Sequence, residues 1–203
     1  EPLPKQVLGH PWVLFSDDKM SKSKGNVIYA DELAARFGTD AVRQYLLSEI
    51  PFAQDGNITY ESFINKYNSD LANTLGNLVN RSIAMTNKYF DGKVFRKRLE
   101  GEFDNDLVEN AAKTVTRFYA LMDSYHNAEA VSEIMNLAKR CNKYIDETTP
   151  WVLAKDETMQ ARLEGVLYNL LECIRLLSIL LYPIIPETCE KMRAQLGIMN
   201  DIE

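Results

Sequence analysis

The sequence predicts a mainly α-helical protein, with a small β-α-α-β layer leading into an antiparallel helix bundle of about five helices. Three observations predict it. From Tyr60 onward, apolar residues recur at three- and four-residue steps, the period of a helix with one buried face. Glycine and proline number only 9 and 7 in 203 residues, so elements run long, and those residues fall where the periodic segments break. Only two short strand candidates precede Tyr60.

In order, residues 5–15 (KQVLGHPWVLF) read as a strand kinked at Gly9-His10-Pro11. A cationic loop follows. Tyr29 to Phe37 then reads as a short helix, with Asp31 and Glu32 in its first turn and Gly38 as its stop. Thr39 is placed to cap a second helix, Asp40 to Ile50, whose Val42, Leu46 and Leu47 share a face; Pro51 ends it. Asp55-Gly56 turns the chain into a short strand, Asn57-Ile58-Thr59. The bundle starts with one long helix, Tyr60 to Phe90, stopped at Asp91-Gly92. Helices over Asp104 to Tyr125, Ala128 to Asp146, Thr158 to Tyr182 and Glu187 to Leu196 complete it. In the first of these, Leu107, Ala111, Val115, Phe118, Leu121 and Met122 make the apolar stripe. Short polar connections make neighbours antiparallel.

With 46% hydrophobic and 26% charged residues, the chain can bury a proper core, which excludes disorder. A net charge of −6 argues against a polyanionic partner until its distribution is considered. Residues 1–98 carry 13 Lys and Arg against 11 Asp and Glu; residues 99–203 carry 10 against 18. A polyanion would therefore meet the first half, through a local patch. Cys141, Cys173 and Cys189 form no CxxC pair, have no histidine at ligand spacing and are odd in number. They read as reduced thiols of a cytoplasmic protein, with no metal site. The most apolar run, Leu167 to Ile185, is broken by Glu172, Arg175 and Pro183, so a core helix is expected there and no membrane span. The chain opens on Glu1-Pro2-Leu3-Pro4 in place of a methionine and stops at Asp201-Ile202-Glu203 without a cap. A fragment is expected.

No packing argument explains KMSKSKGN, Lys19 to Asn26. It places three ammonium groups on flexible stems within six residues, beside small serines and Gly25. Lysine is a point charge that follows a moving anion without demanding bidentate geometry. Such a loop suits a triphosphate gripped in a transition state and then released. A solvated lysine-rich surface loop has the same composition. The order of residues separates the two, because KMSKSKGN resembles the second signature of class I aminoacyl-tRNA synthetases, whose lysines stabilise the phosphates of ATP. That resemblance implies catalytic roles for Lys22 and Lys19, with Lys22 on ATP, Lys19 assisting, and Ser21 and Ser23 in the same loop. Met20 would anchor the loop in an apolar pocket.

GNVIYADELAARFGTDAVRQYLLSEIPFAQDGNITYESFINKYNSDLANTLGNLVNR, Gly25 to Arg81, resembles methionyl-tRNA synthetases. The resemblance continues through YIDETTPWVLAK, Tyr144 to Lys155. It implies that residues 1–58 are the end of a catalytic region with a stem-contacting layer, and that residues 59–203 are a helical domain reading the CAU anticodon of tRNA(Met). The parent enzyme, a methionine–tRNA ligase, would form methionyl-adenylate from methionine and ATP with Mg2+, then transfer methionine to the tRNA. The first class I signature, HIGH, is absent, and Gly9-His10-Pro11-Trp12 does not supply it. This chain alone is not expected to catalyse.

On a helical wheel of about 100° per residue, Leu71, Leu75, Leu78, Val79 and Ile83 gather on one side of the long helix. Asp70, Asn73, Asn77, Arg81 and Lys88 gather on the other. Asn77 and Arg81, one turn apart, offer an amide and a planar five-donor guanidinium, which suit unstacked base edges or a hydrated helix face. Trp151, straight after Pro150, could offer its plane to a base or seal the bundle end. The resemblance implies base reading: LGNLVNR holds the family's base-reading asparagine and arginine, and the tryptophan of its PW pair stacks on the first anticodon base, a cytosine. Asp146 and Pro150 would shape that pocket. Lys139, Arg140 and Lys143 stand open between phosphate contacts and a solvated face. His10 and His126 are isolated and read as packing or surface. Two alternatives stand beside this reading: another class I synthetase, for valine, isoleucine, leucine or cysteine, and a non-catalytic helical interaction module.

Overall fold

The computed structural model describes residues 3–7, 9–51, 54–95 and 101–198. Strands β1 (Val13–Phe15) and β2 (Asp18–Lys19) form an antiparallel hairpin across Ser16 and Asp17. Both turn residues have positive φ, 51° and 62°, and turns of that kind match the twist of paired strands. Strand β3 (Gly56–Ile58) runs parallel to β1 on its other edge, giving the order β2-β1-β3. Helices α1 (Ala30–Phe37) and α2 (Thr39–Glu49) lie between β2 and β3 in the chain. The β-α-α-β layer is therefore present, with one more strand than expected; β2 is two charged residues long and carries no hydrophobic signal.

Two local expectations are corrected. The strand over 5–15 shrinks to three residues, because Pro11 has no N–H and the Trp12 N–H goes to the Asp55 carboxylate (2.8 Å). Leu8 and the extreme chain ends lie outside the described residues. Thr39 does not cap α2: Gly38, at φ 89°, ends α1 and stands at the N-cap of α2, so Thr39 is the first helical residue.

The chain from Tyr60 to Phe90 is continuously helical but not uniform. Helix α3 (Tyr60–Lys66), opened by a Thr59–Ser62 capping box, passes into a ten-residue π-helical segment, Tyr67–Gly76, and then into α4 (Asn77–Phe90). Thr74 Oγ1 donates five residues back, to the Ser69 carbonyl (2.7 Å). The wider turn changes the phase and overturns part of the wheel. Asp70, expected on the polar side, is 5% exposed and is held by Gln44 Nε2 (3.0 Å) and Lys66 Nζ (3.2 Å).

Helices α5 (Asp104–Asp123), α6 (Asn127–Thr148), α7 (Pro150–Leu153), α8 (Gln160–Leu180) and α9 (Pro186–Gln195) complete the bundle. Its core includes the fully buried Leu78, Ile134, Tyr144, Leu167 and Ile174. A smaller core of Leu33, Val42, Tyr45, Ile58 and Phe63 underlies the sheet layer, and Leu71 of the π segment packs against both. Among the described residues no helix is long and apolar enough to cross a membrane.

One polar network fixes the end of the bundle where α6 and α8 flank α7. Asp104 accepts two bonds from Arg162 (2.6 and 2.7 Å) and one from the Tyr144 hydroxyl (2.7 Å). Burial pushes Asp104 upward, but the bonds from Arg162 and Tyr144 outweigh it and hold the carboxyl below its usual range. Burial raises the Tyr144 phenol far above its usual value.

Candidate nucleic-acid interface

Three elements bring most of the expected base-reading residues together. Helix α4 supplies Asn77 and Arg81, α6 supplies Asn142 and Asp146, and α7 supplies Trp151. Arg81 Nη2 donates to Asp146 Oδ1 (2.9 Å), and the guanidinium carbon lies 5.9 Å from the centre of the Trp151 ring, at the outer reach of a cation–π contact. Asn77 Nδ2 makes a long 3.4 Å contact to Asn142 Oδ1. Asn142 is itself fixed, donating to the carbonyls of Thr74 (3.0 Å) and Ala138 (3.2 Å).

The turn before Trp151 aims it outward. Thr149 ends α6 at φ 42°, ψ 61°, uncommon for a β-branched residue, and its carbonyl accepts from the N–H groups of Val152 (2.8 Å) and Leu153 (3.3 Å). Pro150, buried, opens α7 with its φ already fixed. Trp151 is left 41% exposed. Beside it runs an apolar groove of about 310 Å³, lined also by Asn80, Ala84, Met85, Lys88 and Tyr89. Sequence reasoning misses Asn80, Met85 and Tyr89 there, and misses Asn142. The signals exist: Arg81, Ala84, Met85 and Lys88 step by three and four along α4, and Asn142 stands one turn before Asp146.

The basic cluster on α6 is mostly neutralised. Arg140 lies 2.5 Å from Asp106 and 2.9 Å from Glu147, although the second pair is not aligned for a hydrogen bond, and Lys143 lies 3.4 Å from Glu147. Lys139 is exposed.

The lysine loop begins on β2 and is closed by one side chain. Asn26 Oδ1 accepts from the Ser21 N–H (2.8 Å), and its Nδ2 donates to the Lys19 carbonyl (3.2 Å). Gly25 takes φ 70°, which lets its N–H and that of Lys24 reach the Ser21 carbonyl. The three ammonium groups differ. Lys19 Nζ sits 5.0 Å from the centre of the Trp12 ring, and Lys24 pairs with Asp18 (2.7 Å). Lys22 is exposed and makes no ion pair among the described residues. Ser21 and Ser23 share a 2.8 Å hydroxyl contact. Met20 is half-buried and packs against neither core.

A cationic loop on a small mixed sheet is thus joined to a helical bundle with an exposed tryptophan and a held arginine, and both parts match families of the tRNA synthetases. Residues 1–83 match the family described as tRNA synthetases class I (M). Residues 94–202 match the anticodon binding domain of methionyl tRNA ligase, and the chain belongs to that family. It is 49% identical to the methionine–tRNA ligase of Caldanaerobacter subterraneus over 99% of this chain and 32% of the relative, and 53% identical to that of Clostridium acetobutylicum over 98% and 31%. The chain thus spans about a third of the length of these curated relatives. Its structure resembles the Mycobacterium tuberculosis methionyl-tRNA synthetase in complex with methionyl-adenylate, with TM-score 0.89 and 36% identity over 94% of this chain and 38% of that one. The matched anticodon binding domain is that of methionyl tRNA ligase, as the resemblance implies.

Proposed function

We propose that the chain is the anticodon-reading part of a methionine–tRNA ligase, with residues 59–203 as the reader and residues 1–58 as the end of the parent's catalytic region. The observation that carries this reading is the Arg81 guanidinium, held between the Asp146 carboxylate and the Trp151 indole with Asn77 one turn away. An unstacked base needs a face to stack on and donors and acceptors at its edge. Trp151 offers the face for the cytosine of CAU, and Asn77 and Arg81 read base edges. Asp146 holds the guanidinium fork in place, and Pro150 fixes the turn that presents the indole. A tryptophan sealing the bundle end would be buried, whereas this one is 41% exposed.

In the intact ligase, Lys22 and Lys19, with Ser21 and Ser23, hold the ATP phosphates, and Lys22 suits this best because no carboxylate of the described residues neutralises it. Bound ATP supplies the activated phosphorus that methionine attacks, with Mg2+ accompanying the phosphates. The chain's own part is to place positive charge beside them. The partners are methionine and tRNA(Met). The workplace is the cytoplasm, where the buried thiols of Cys141, Cys173 and Cys189 stay reduced.

The test is a titration of the chain with a short stem-loop RNA bearing CAU and with a twin altered at the first anticodon base, followed by tryptophan fluorescence. Trp151→Ala serves as control because Trp12 also emits. Tighter binding to CAU, with a quench that disappears in the variant, is expected. Equal binding to both RNAs with unchanged fluorescence would overturn the assignment. Binding should also weaken steeply with salt; a protein-docking module using an apolar face would barely respond.

A further inference from the structure

We propose that the groove beside Trp151 seats a second nucleotide of the same RNA strand, with Tyr89 as its stacking surface and Lys88 on its phosphate. The proposal rests on the base-reading assignment of Trp151 and extends it along α4. The groove holds about 310 Å³, and the side chains that form it can be reached: Ala84 and Lys88 are exposed, Met85 and Tyr89 half-buried. Its two ends differ. Asn80 and Arg81 stand at one end, with Asn77 a turn earlier on α4, and these are groups for base edges. At the other end Ala84, Met85 and the Tyr89 ring offer surface in place of edge contacts. Asn77 and Tyr89 are twelve positions apart on one helix, roughly 18 Å along its axis. A base stacked on Trp151 and met by Asn77 cannot also cover Tyr89.

The charge of this far end selects the same polyanion. Among the described residues the groove is lined by two cations and no carboxylate. Arg81 is already paired with Asp146, so Lys88 sets the sign. Its Nζ lies 5.2 Å from the centre of the Tyr89 ring. A lysine stem is flexible, so the ammonium can leave the ring for a phosphate as a base moves onto it. An aromatic face with a cation beside it is what an unstacked nucleotide needs, and every base has a π-face. The Met85 thioether adapts to bases of either size. The second seat therefore adds affinity without reading sequence, whereas the Trp151 end discriminates.

The experiment repeats the stem-loop titration with Tyr89→Leu, which keeps an apolar side chain but removes the ring, and with Lys88→Gln. Tyr89→Leu should weaken binding of the CAU RNA and of its twin altered at the first anticodon base by one common factor, about fivefold or more, the loss of one stacked base. Two further RNAs each lack one base, on one side or the other of the first anticodon position. On one of them Tyr89→Leu should cost nothing further. Lys88→Gln should reduce the slope of log affinity against log salt by about 0.7, the share of one single-strand phosphate. The two readings fail separately. No preference for CAU in the native chain would overturn base reading, and the second seat with it. A CAU preference that Trp151→Ala abolishes would leave base reading standing. The second seat alone is then overturned by unchanged affinity in Tyr89→Leu, by a full Tyr89→Leu loss on both base-lacking RNAs, or by an unchanged salt slope in Lys88→Gln. Should Tyr89→Leu fail to fold, Lys88→Gln, at an exposed position, decides it.

Discussion

The lysine loop and the tryptophan groove both present cations, yet they are built in opposite ways. In the groove the positioning bonds join distant parts of the chain: Arg81 to Asp146 across 65 positions, and Asn142 to Thr74 across 68. In the loop they are local, Ser21 to Asn26, Asn26 to Lys19 and Lys24 to Asp18, spanning at most seven positions. Contacts between packed helices are held in register by the core beneath them, whereas contacts within one turn can open alone. The groove is thus preorganised, which suits the base reading proposed for it. The loop can open and close, as a phosphate grip must.

The contrast breaks most severely at the foundation of the groove. Asp104→Asn removes the charge that holds Arg162 and Tyr144, and losing one side of a buried ion pair should cost about 3–5 kcal/mol in urea unfolding. RNA affinity should fall in step, because the ends of α6 and α8 that flank α7 are tied to α5 there. The pH dependence has a definite sign. The folded-state pKa of Asp104 is lowered, so its stabilisation is complete above the unfolded value near 3.8 and is lost as pH falls through the lower folded value. Acid unfolding should therefore be blunted over that range in Asp104→Asn.

Trp151→Ala comes next and separates function from fold. RNA affinity should drop by about 1–3 kcal/mol, the value of one base stacked on an aromatic ring, with far-ultraviolet circular dichroism unchanged. Asp146→Ala sharpens the comparison further. The pair with Arg81 is largely exposed on the Asp146 side, so stability should change by about 0–1 kcal/mol. The released guanidinium keeps its attraction for RNA but loses its orientation. The ratio of CAU to mismatched binding should fall more than the affinity for CAU itself.

The sequence makes the helical bundle legible because Gly and Pro punctuate strongly periodic segments. Asp91-Gly92 and Pro186 stand at observed helix boundaries. The hairpin strand was not legible, since two charged residues carry no period. Asp70 is misplaced by the wheel because a fixed pitch cannot register a π segment, whose extra residue per turn shows in backbone bonds such as that from the Asn77 N–H to the Ala72 carbonyl. The groove was half legible. Asn77, Arg81 and Trp151 came through family resemblance, whereas Asn142 and Tyr89 could have followed from stepping along α4 and α6. That Arg81 meets Trp151 could not be read from spacing, because 70 residues and two helix packings lie between them.

The smallest expected effect tests the other half of the contrast. Asn26 closes the lysine loop with two bonds, accepting from Ser21 and donating to the Lys19 carbonyl. Asn26→Ala removes both, yet neither bond reaches a core, so global stability should stay within about 0.5 kcal/mol. Local opening should rise instead: faster amide exchange at Ser21 and faster tryptic cleavage after Lys22, with no change in exchange along α4. A loss of global stability comparable to that of Asp104→Asn would place the loop inside the cooperative unit of the fold. The two regions would then share one kind of rigidity, and a loop so fixed could not grip a phosphate chain and release it without unfolding the layer that carries it.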